Sequence, residues 1–150
     1  MLKTLILCSA LLAPALAEAS ISRSQLVGTW DMAGYDCIRQ LEGAETPAEE
    51  LLPPPERVEL RFTRARMNVG VVYFGCMYNL DTTYSLNRDL ISYPGNTAVG
   101  CDGSRRQFEP VPFRGAMISG QLHMIAQGTA GLGQLCSGDT RARFVFNRRR

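Results

Sequence analysis

The residues of this 150-residue chain that could carry chemistry are five cysteines and one histidine, His123. A catalytic cysteine needs a histidine beside its thiolate, and a metal site usually needs close pairs such as Cys-x-x-Cys. The nearest two cysteines, Cys76 and Cys101, are 25 positions apart. His123 lies between Leu122 and Met124, so a strand that buries those two turns the histidine toward solvent. The sequence therefore predicts neither a metal site nor a catalytic residue.

The first 17 residues have the organisation of a secretory signal peptide. A positive charge precedes an apolar run from Leu5 to Ala13, and small residues end the segment at Ala17. The run is too short for a membrane span, which needs about 20 apolar residues. We expect cleavage after Ala17, with Ala19 as the alternative. Residues 18–150 then form a single β domain, periplasmic or secreted, and Cys8 is removed with the signal peptide.

Four cysteines remain after cleavage: Cys37, Cys76, Cys101 and Cys136. An even number of cysteines in an exported chain favours disulfides, and four of them permit three pairings. In a closed antiparallel barrel the first and last strands are neighbours. Pairing Gly28 with Phe146 in those strands brings Cys37 close to Cys136. We therefore expect the disulfides Cys37–Cys136 and Cys76–Cys101.

The elements that position these cysteines are predicted to be short strands, because apolar and polar residues alternate along most of the chain. Arg57 to Phe62 alternates without a fault, and Ala142 to Phe146 does the same. Strand-rich segments are predicted at Met67 to Tyr78, Thr82 to Leu86, Leu90 to Tyr93 and Ala116 to Ala126. One short helix is predicted from Thr46, ended by the prolines up to Pro55. The expected fold is mainly β, a small antiparallel barrel-like sheet of about seven or eight strands with one short helix.

The first strand contains the motif Leu26-Val27-Gly28-Thr29-Trp30. A glycine two residues before a strand tryptophan occurs in several small barrels, including lipocalins and avidins. The glycine allows the backbone to approach a neighbour, and the indole closes one end of the core. We therefore assign Gly28 and Trp30 a structural role.

Three further segments follow this motif in order: Gly75-Cys76, Tyr84 to Ile91, and Thr97-Ala98-Val99-Gly100-Cys101. Together with the first strand they resemble the META domain, the family of the bacterial heat-shock protein HslJ. The resemblance covers Leu26 to Cys101. It implies a small envelope protein linked to stress tolerance, without catalytic chemistry. A lipocalin-like barrel is the alternative.

Composition and motifs narrow the function further. Sixteen basic and fourteen acidic residues give a net charge of +2, too small for an obligate nucleic-acid binder. No nucleophile elbow, zinc-protease motif or spaced carboxylate pair is present, so we expect no enzyme and no cofactor.

Besides the META-type envelope protein, two other functions stay open. One is a carrier of a small apolar ligand, its interior lined by Trp30, Phe62, Tyr84 and Phe144. The other is an inhibitor of a protease or lysozyme, presenting the loop Pro94–Gly100 or Gly128–Gly133. A cavity above about 300 Å³ would favour the carrier. The partner is thus an unidentified protein or a small apolar ligand, and we expect a monomer.

Overall fold

A computed structural model of the protein describes residues 20–41, 44–48, 55–108, 110–127, 136 and 141–150. These residues form one short helix and a single curled antiparallel sheet of twelve strands. The predicted fold class, a mainly β barrel-like sheet with one short helix, is confirmed. The described helix is not long enough to cross a membrane.

The elements follow one another with these bounds: α1 Arg23–Leu26, β1 Gly28–Leu41, β2 Ala44–Ala48, β3 Arg57–Phe62, β4 Arg66–Tyr73, β5 Cys76–Thr83, β6 Ser85–Asn87, β7 Leu90–Ser92, β8 Asn96–Val99, β9 Arg105–Phe108, β10 Phe113–Ile118, β11 Gln121–Ala126 and β12 Arg141–Arg148. Their order in the sheet is β6-β7-β10-β11-β12-β1-β3-β4-β5-β8-β9, and β2 pairs with β1. Within the described residues no strand pairing joins β6 to β9, so the sheet is a half-barrel.

The alternation predicted from the sequence determines which side chains enter the core. In β3, Val58, Leu60 and Phe62 are buried while Arg57 and Arg61 are exposed. Ala142, Phe144 and Phe146 of β12 are buried in the same way. Burying one face of each strand removes apolar surface from water, which is the main driving force for folding. The concave face of the curled sheet is therefore the core.

There are more strands than predicted because two predicted segments are each a hairpin of two strands, and because β2, β8 and β9 form where no strand was predicted. Met67 to Tyr78 turns at Phe74-Gly75, and Ala116 to Ala126 turns at Ser119-Gly120. Both residues of each two-residue turn have positive φ angles, at 50° and 72° in the first and 51° and 80° in the second. Glycine at the second position is the residue that such turns favour.

The predicted helix after Thr46 is wrong where the structure describes it. Ala44–Ala48 forms β2 and pairs with the end of β1 from Cys37 to Leu41, and the remaining residues, 49–54, lie outside the described chain. Pairing with a long neighbouring strand overrides the local capping pattern. The helix is instead α1, where Ser22 and Gln25 form a capping box.

The first and last strands are neighbours, as predicted, but in a different register. Trp30 lies opposite Arg148, so the predicted pairing of Gly28 with Phe146 is wrong. The alternation fixes which face is buried and leaves a shift by an even number of residues open. The disulfides join Cys37 to Cys136 and Cys76 to Cys101, the two pairs expected. Their Cα atoms are 5.6 and 5.5 Å apart, respectively.

Candidate functional site

One end of the half-barrel is closed around Trp30. The indole is fully buried, and its Nε1 donates a hydrogen bond of 2.8 Å to the carbonyl oxygen of Leu26 at the end of α1. The guanidinium of Arg148 lies over the ring, its Cζ 5.3 Å from the centroid. Gly28 has φ +141°, and a Cβ there would lie 3.1 Å from Nε of Arg148. The Gly28 and Trp30 motif therefore makes room for this arginine and closes the core.

Phe62 and Tyr84 complete this closed end. Their rings meet edge to face with centroids 5.2 Å apart. The Tyr84 hydroxyl donates to the carbonyl oxygen of Thr63 at 2.9 Å, and the guanidinium of Arg23 covers the tyrosine ring at 5.1 Å. Both aromatic side chains are therefore part of solid packing. Of the four residues predicted to line a ligand cavity, Trp30, Phe62 and Tyr84 lie here, outside the cavity lining.

Phe144 does line a cavity, which lies farther along the concave face. The cavity has a volume of about 90 Å³. Fourteen side chains surround it, every one aliphatic, aromatic or methionine: Val58, Leu60, Met67, Val69, Val71, Tyr73, Tyr78, Leu80, Tyr93, Ala98, Phe113, Met124, Phe144 and Phe146. Strands β3, β4, β5 and β8 supply one wall, and β10, β11 and β12 supply the other. We call this space the apolar cleft.

The apolar cleft opens toward the turn between β4 and β5. Along β4 the inward side chains run from Met67, which is buried, through Val69 and Val71 to Tyr73, and these last three are half-buried. On β5 Leu80 is buried and Tyr78, nearer the turn, is half-buried. Exposure thus rises from the Trp30 end toward the turn, which marks the mouth of the cleft.

Three tyrosines give the mouth its polar groups. Tyr73, Tyr78 and Tyr93 line the cleft, and all are half-buried. The hydroxyl oxygen of Tyr93 accepts a hydrogen bond of 3.4 Å from the backbone N–H of Val111. Burial raises the pKa of Tyr73. Burial also raises the pKa of Tyr93, and the hydrogen bond from Val111, which lowers that pKa, offsets only part of the rise. Both phenols are neutral at physiological pH, so the mouth offers hydroxyl groups without charge.

A second groove, of about 550 Å³, lies on the outer face of β10, β11 and β12 and is half polar. Its arginines bond to side chains of the same chain: Arg114 to Asp89 at 2.9 Å, Arg141 to Gln127 at 3.3 Å and Arg143 to Asp36 at 2.9 Å. His123 lies in this groove and is half-buried, on the face opposite its buried neighbours. Because these arginines already bond to side chains of the same chain, this groove is a weaker candidate for a ligand site than the apolar cleft.

The described residues contain one group of potential metal ligands close enough to share an ion: Cys76, Cys101 and Asp102, with ligand atoms within 4.8 Å of one another. The two sulfur atoms form a disulfide. They are not thiolates, the form in which cysteine binds a metal. The group is therefore a structural crosslink.

The two loops considered for an inhibitor differ in what the structure describes. Pro94–Gly100 contains β8, whose Ala98 is buried in the cleft wall. Gly100 packs so closely that an added Cβ would lie 2.7 Å from the Tyr78 ring. Gly128–Gly133 lies outside the described residues. Ala98 of the segment Pro94–Gly100 therefore belongs to the wall of the cleft.

No family model, no curated protein and no solved structure matches this chain. The resemblances to the META domain and to lipocalins stay predictions.

Proposed function

We propose that this chain is an exported, non-enzymatic β protein that binds a small apolar ligand in the apolar cleft. The observation that supports the proposal is the lining, in which fourteen side chains from both walls offer apolar surface and polar groups only at the mouth. Ligand sites are mostly apolar concavities with a few placed polar groups. The cleft has this composition.

The size of the cleft limits the ligand. Its volume of about 90 Å³ is below the roughly 300 Å³ that would favour a carrier enclosing its ligand, so this expectation is not met. It is also smaller than the roughly 150 Å³ apolar cavity that takes up benzene whole. An open mouth removes the need for full enclosure. The ligand we propose is therefore an amphiphile that inserts a ring or an alkyl end and leaves its polar end beside Tyr73 and Tyr93.

Other parts of the chain support export and a binding role. Two disulfides are consistent with an oxidising compartment, and the sequence resemblance to the META domain supports the bacterial envelope. All four cysteines of the mature chain are used in those crosslinks. The stress-related role belongs to the META resemblance, and the cleft neither adds to it nor argues against it.

Fluorescence titration with N-phenyl-1-naphthylamine, an apolar dye that brightens on leaving water, tests the proposal. Ala98→Leu adds three carbons inside the cleft, and Ala116→Leu makes the same change on the outer face of β10, where the residue is half-buried. The wild-type protein should bind the dye saturably. Ala98→Leu should weaken binding by at least about tenfold, and Ala116→Leu should leave it unchanged.

Circular dichroism and disulfide mapping of both variants establish that they are folded. Absence of saturable binding to the wild-type protein contradicts the proposal. Equal binding by the two leucine variants contradicts it as well, because the dye would then bind outside the cleft.

A further inference from the structure

The most exposed large hydrophobic side chain of the described residues is Phe74, at 90%. It occupies the first position of the two-residue turn between β4 and β5, with φ 50°. Asparagine or aspartate is favoured there, because a bulky side chain in the left-handed region is strained. The equivalent turn of this chain has Ser119 in that position, with φ 51°. Phe74 thus combines a strained backbone conformation with a large apolar side chain exposed to water. Such a costly residue points to a function.

The turn that carries Phe74 is held on both sides. Cys76, the residue that ends the turn, is crosslinked to Cys101. The backbone N–H of Gly75 donates to a carboxylate oxygen of Glu56 at 3.0 Å. A side chain presented on a fixed frame loses little conformational freedom on binding. Phe74 is therefore suited to act as a preformed anchor.

Two other exposed apolar side chains lie on β5, the strand after this turn, and on β8, which pairs with β5. Met77 is 40% exposed and Val99 47% exposed. The strand register places Val72 opposite Met77 and Asn79 opposite Val99, so Met77 and Val99 are diagonal neighbours on the outer face. Of the four large exposed hydrophobics in the described chain, three therefore share this corner of the sheet.

Among the side chains that the structure describes, the exposed charges at this corner balance. Glu56 and Asp102 are acidic, and Arg57 and Arg105 are basic. A membrane rich in anionic lipid attracts clusters of basic residues, and these four described side chains include no excess of them. A balanced apolar surface is instead compatible with contact between two copies of itself, since it creates no net repulsion.

The mouth of the apolar cleft lies at the same corner. Tyr73, the residue before Phe74, lines the mouth of the apolar cleft, and the two ring centroids are 6.4 Å apart. One rim of the molecule thus holds both an exposed phenyl ring and the open mouth of the apolar cleft. A surface that presents both an inserting side chain and an apolar opening is self-complementary, so two copies of it can pack together across a two-fold axis.

We propose that two copies of this chain associate about a two-fold axis, with Phe74 of each inserted into the mouth of the other's apolar cleft. The inference rests on the proposed function in one respect, that the cleft accepts apolar groups. Ligand and Phe74 then compete, so ligand binding dissociates the dimer. We expect weak association, because the contact depends on one inserted side chain from each partner, whereas a standard interface buries roughly 800 Å² per partner. The monomer expected from the sequence is the form at low concentration.

Sedimentation velocity over about 5 to 500 µM tests this, because the range covers weak association. The wild-type protein should shift from monomer to dimer across the range. Phe74→Asn should remain a monomer, and it should melt no lower than wild type because asparagine suits this turn. Ser119→Asn makes the matched change at the other turn and should dimerise like wild type. Ala98→Leu should weaken the dimer, since it fills the cleft without altering Phe74.

Saturating N-phenyl-1-naphthylamine should convert the wild-type dimer to monomer. A wild-type protein that binds the dye but stays monomeric throughout the range overturns the dimer and leaves the proposed function standing. A dimer that persists in Phe74→Asn overturns the role of this residue. Wild-type monomers that bind phosphatidylglycerol vesicles through Phe74 would assign the corner to lipid and overturn the inference. A dimer lost in Phe74→Asn, from a protein that binds no dye, supports the dimer and contradicts the ligand.

Discussion

Arg148 and Trp30 form the contact that closes the core, with the guanidinium Cζ of Arg148 5.3 Å from the centre of the indole ring. The arginine also donates to the carbonyl oxygen of Val27. It comes from β12 and the tryptophan from β1, so the contact joins the last strand to the first. Contacts of a cation with an aromatic ring contribute roughly 0.5–2 kcal/mol, depending on desolvation.

Gly28→Ala should lower the free energy of unfolding by about 1–3 kcal/mol. Its backbone has φ +141°, and the new Cβ would press on the Arg148 guanidinium. Gly34→Ala is the matched control, because a Cβ there meets nothing within 4 Å. Urea unfolding followed by tryptophan fluorescence measures both. Equal free energies for the two variants would contradict the role given to Gly28.

Removing the Cys37–Cys136 disulfide should destabilise the protein more than removing Cys76–Cys101. The sequence separations are 99 and 25, and loop-closure entropy grows with loop length. The chain-entropy model gives a difference of about 1 kcal/mol. Paired alanine variants compared by urea unfolding provide the test. A larger loss for the pair at positions 76 and 101 would contradict the entropic account.

Asp31 should contribute to stability above its ordinary pKa and lose that contribution in acid. A hydrogen bond from Arg149 lowers the pKa of Asp31 from 3.8, with the charge of Arg149 adding to it. The contribution is therefore present above 3.8 and is lost as the pH falls through the lowered value. Because the pair is partly exposed, Asp31→Asn should cost less than about 1 kcal/mol at neutral pH.

Urea unfolding of Asp31→Asn and of the wild-type protein, from neutral pH into strong acid, measures how the difference in their free energies of unfolding changes with pH. The free energies of Asp31→Asn and wild type should become equal well below pH 3.8. A constant difference at every pH would show that the carboxylate stabilises the fold without its charge.

Tyr73 should limit ligand binding at high pH. Burial raises its pKa above 10.0. The phenol is therefore neutral below pH 10.0, and it becomes a phenolate only as the pH rises through the higher value. A phenolate would place charge at the mouth of the cleft and release an apolar ligand. The triple variant Tyr73→Phe, Tyr78→Phe, Tyr93→Phe removes all three hydroxyl groups at the mouth. It should bind N-phenyl-1-naphthylamine at neutral pH and retain it further into the alkaline range. Release of the dye at the same alkaline pH by the variant and the wild-type protein would contradict this prediction.

The faces of the strands could be predicted from the sequence, whereas their register could not. Alternation alone identifies Val58, Leu60 and Phe62 as core residues, because a strand turns alternate side chains to one face. The register of β1 against β12 depends on a bulge between Met32 and Gly34 and on the full length of both strands. No local pattern in the sequence predicts the bulge or the lengths of the two strands.

The cleft was harder to predict for a related reason. The largest aromatic residues were expected to surround a ligand, but Trp30 and Phe62 pack at the closed end. The open space lies among medium-sized side chains such as Val69 and Val71, which identify no cavity by type. Phe74 did carry a signal, since Phe-Gly between two alternating runs is a two-residue turn with an unusual first residue.

Methyl NMR spectra of the protein with and without N-phenyl-1-naphthylamine test the ligand-binding cleft most directly. The account predicts saturable shift changes at Val69, Leu80 and Met124, which line the cleft. It predicts unchanged signals from Ile118 and Ile125 on the outer face. Unchanged cleft methyls, or changes confined to the two isoleucines, would contradict it.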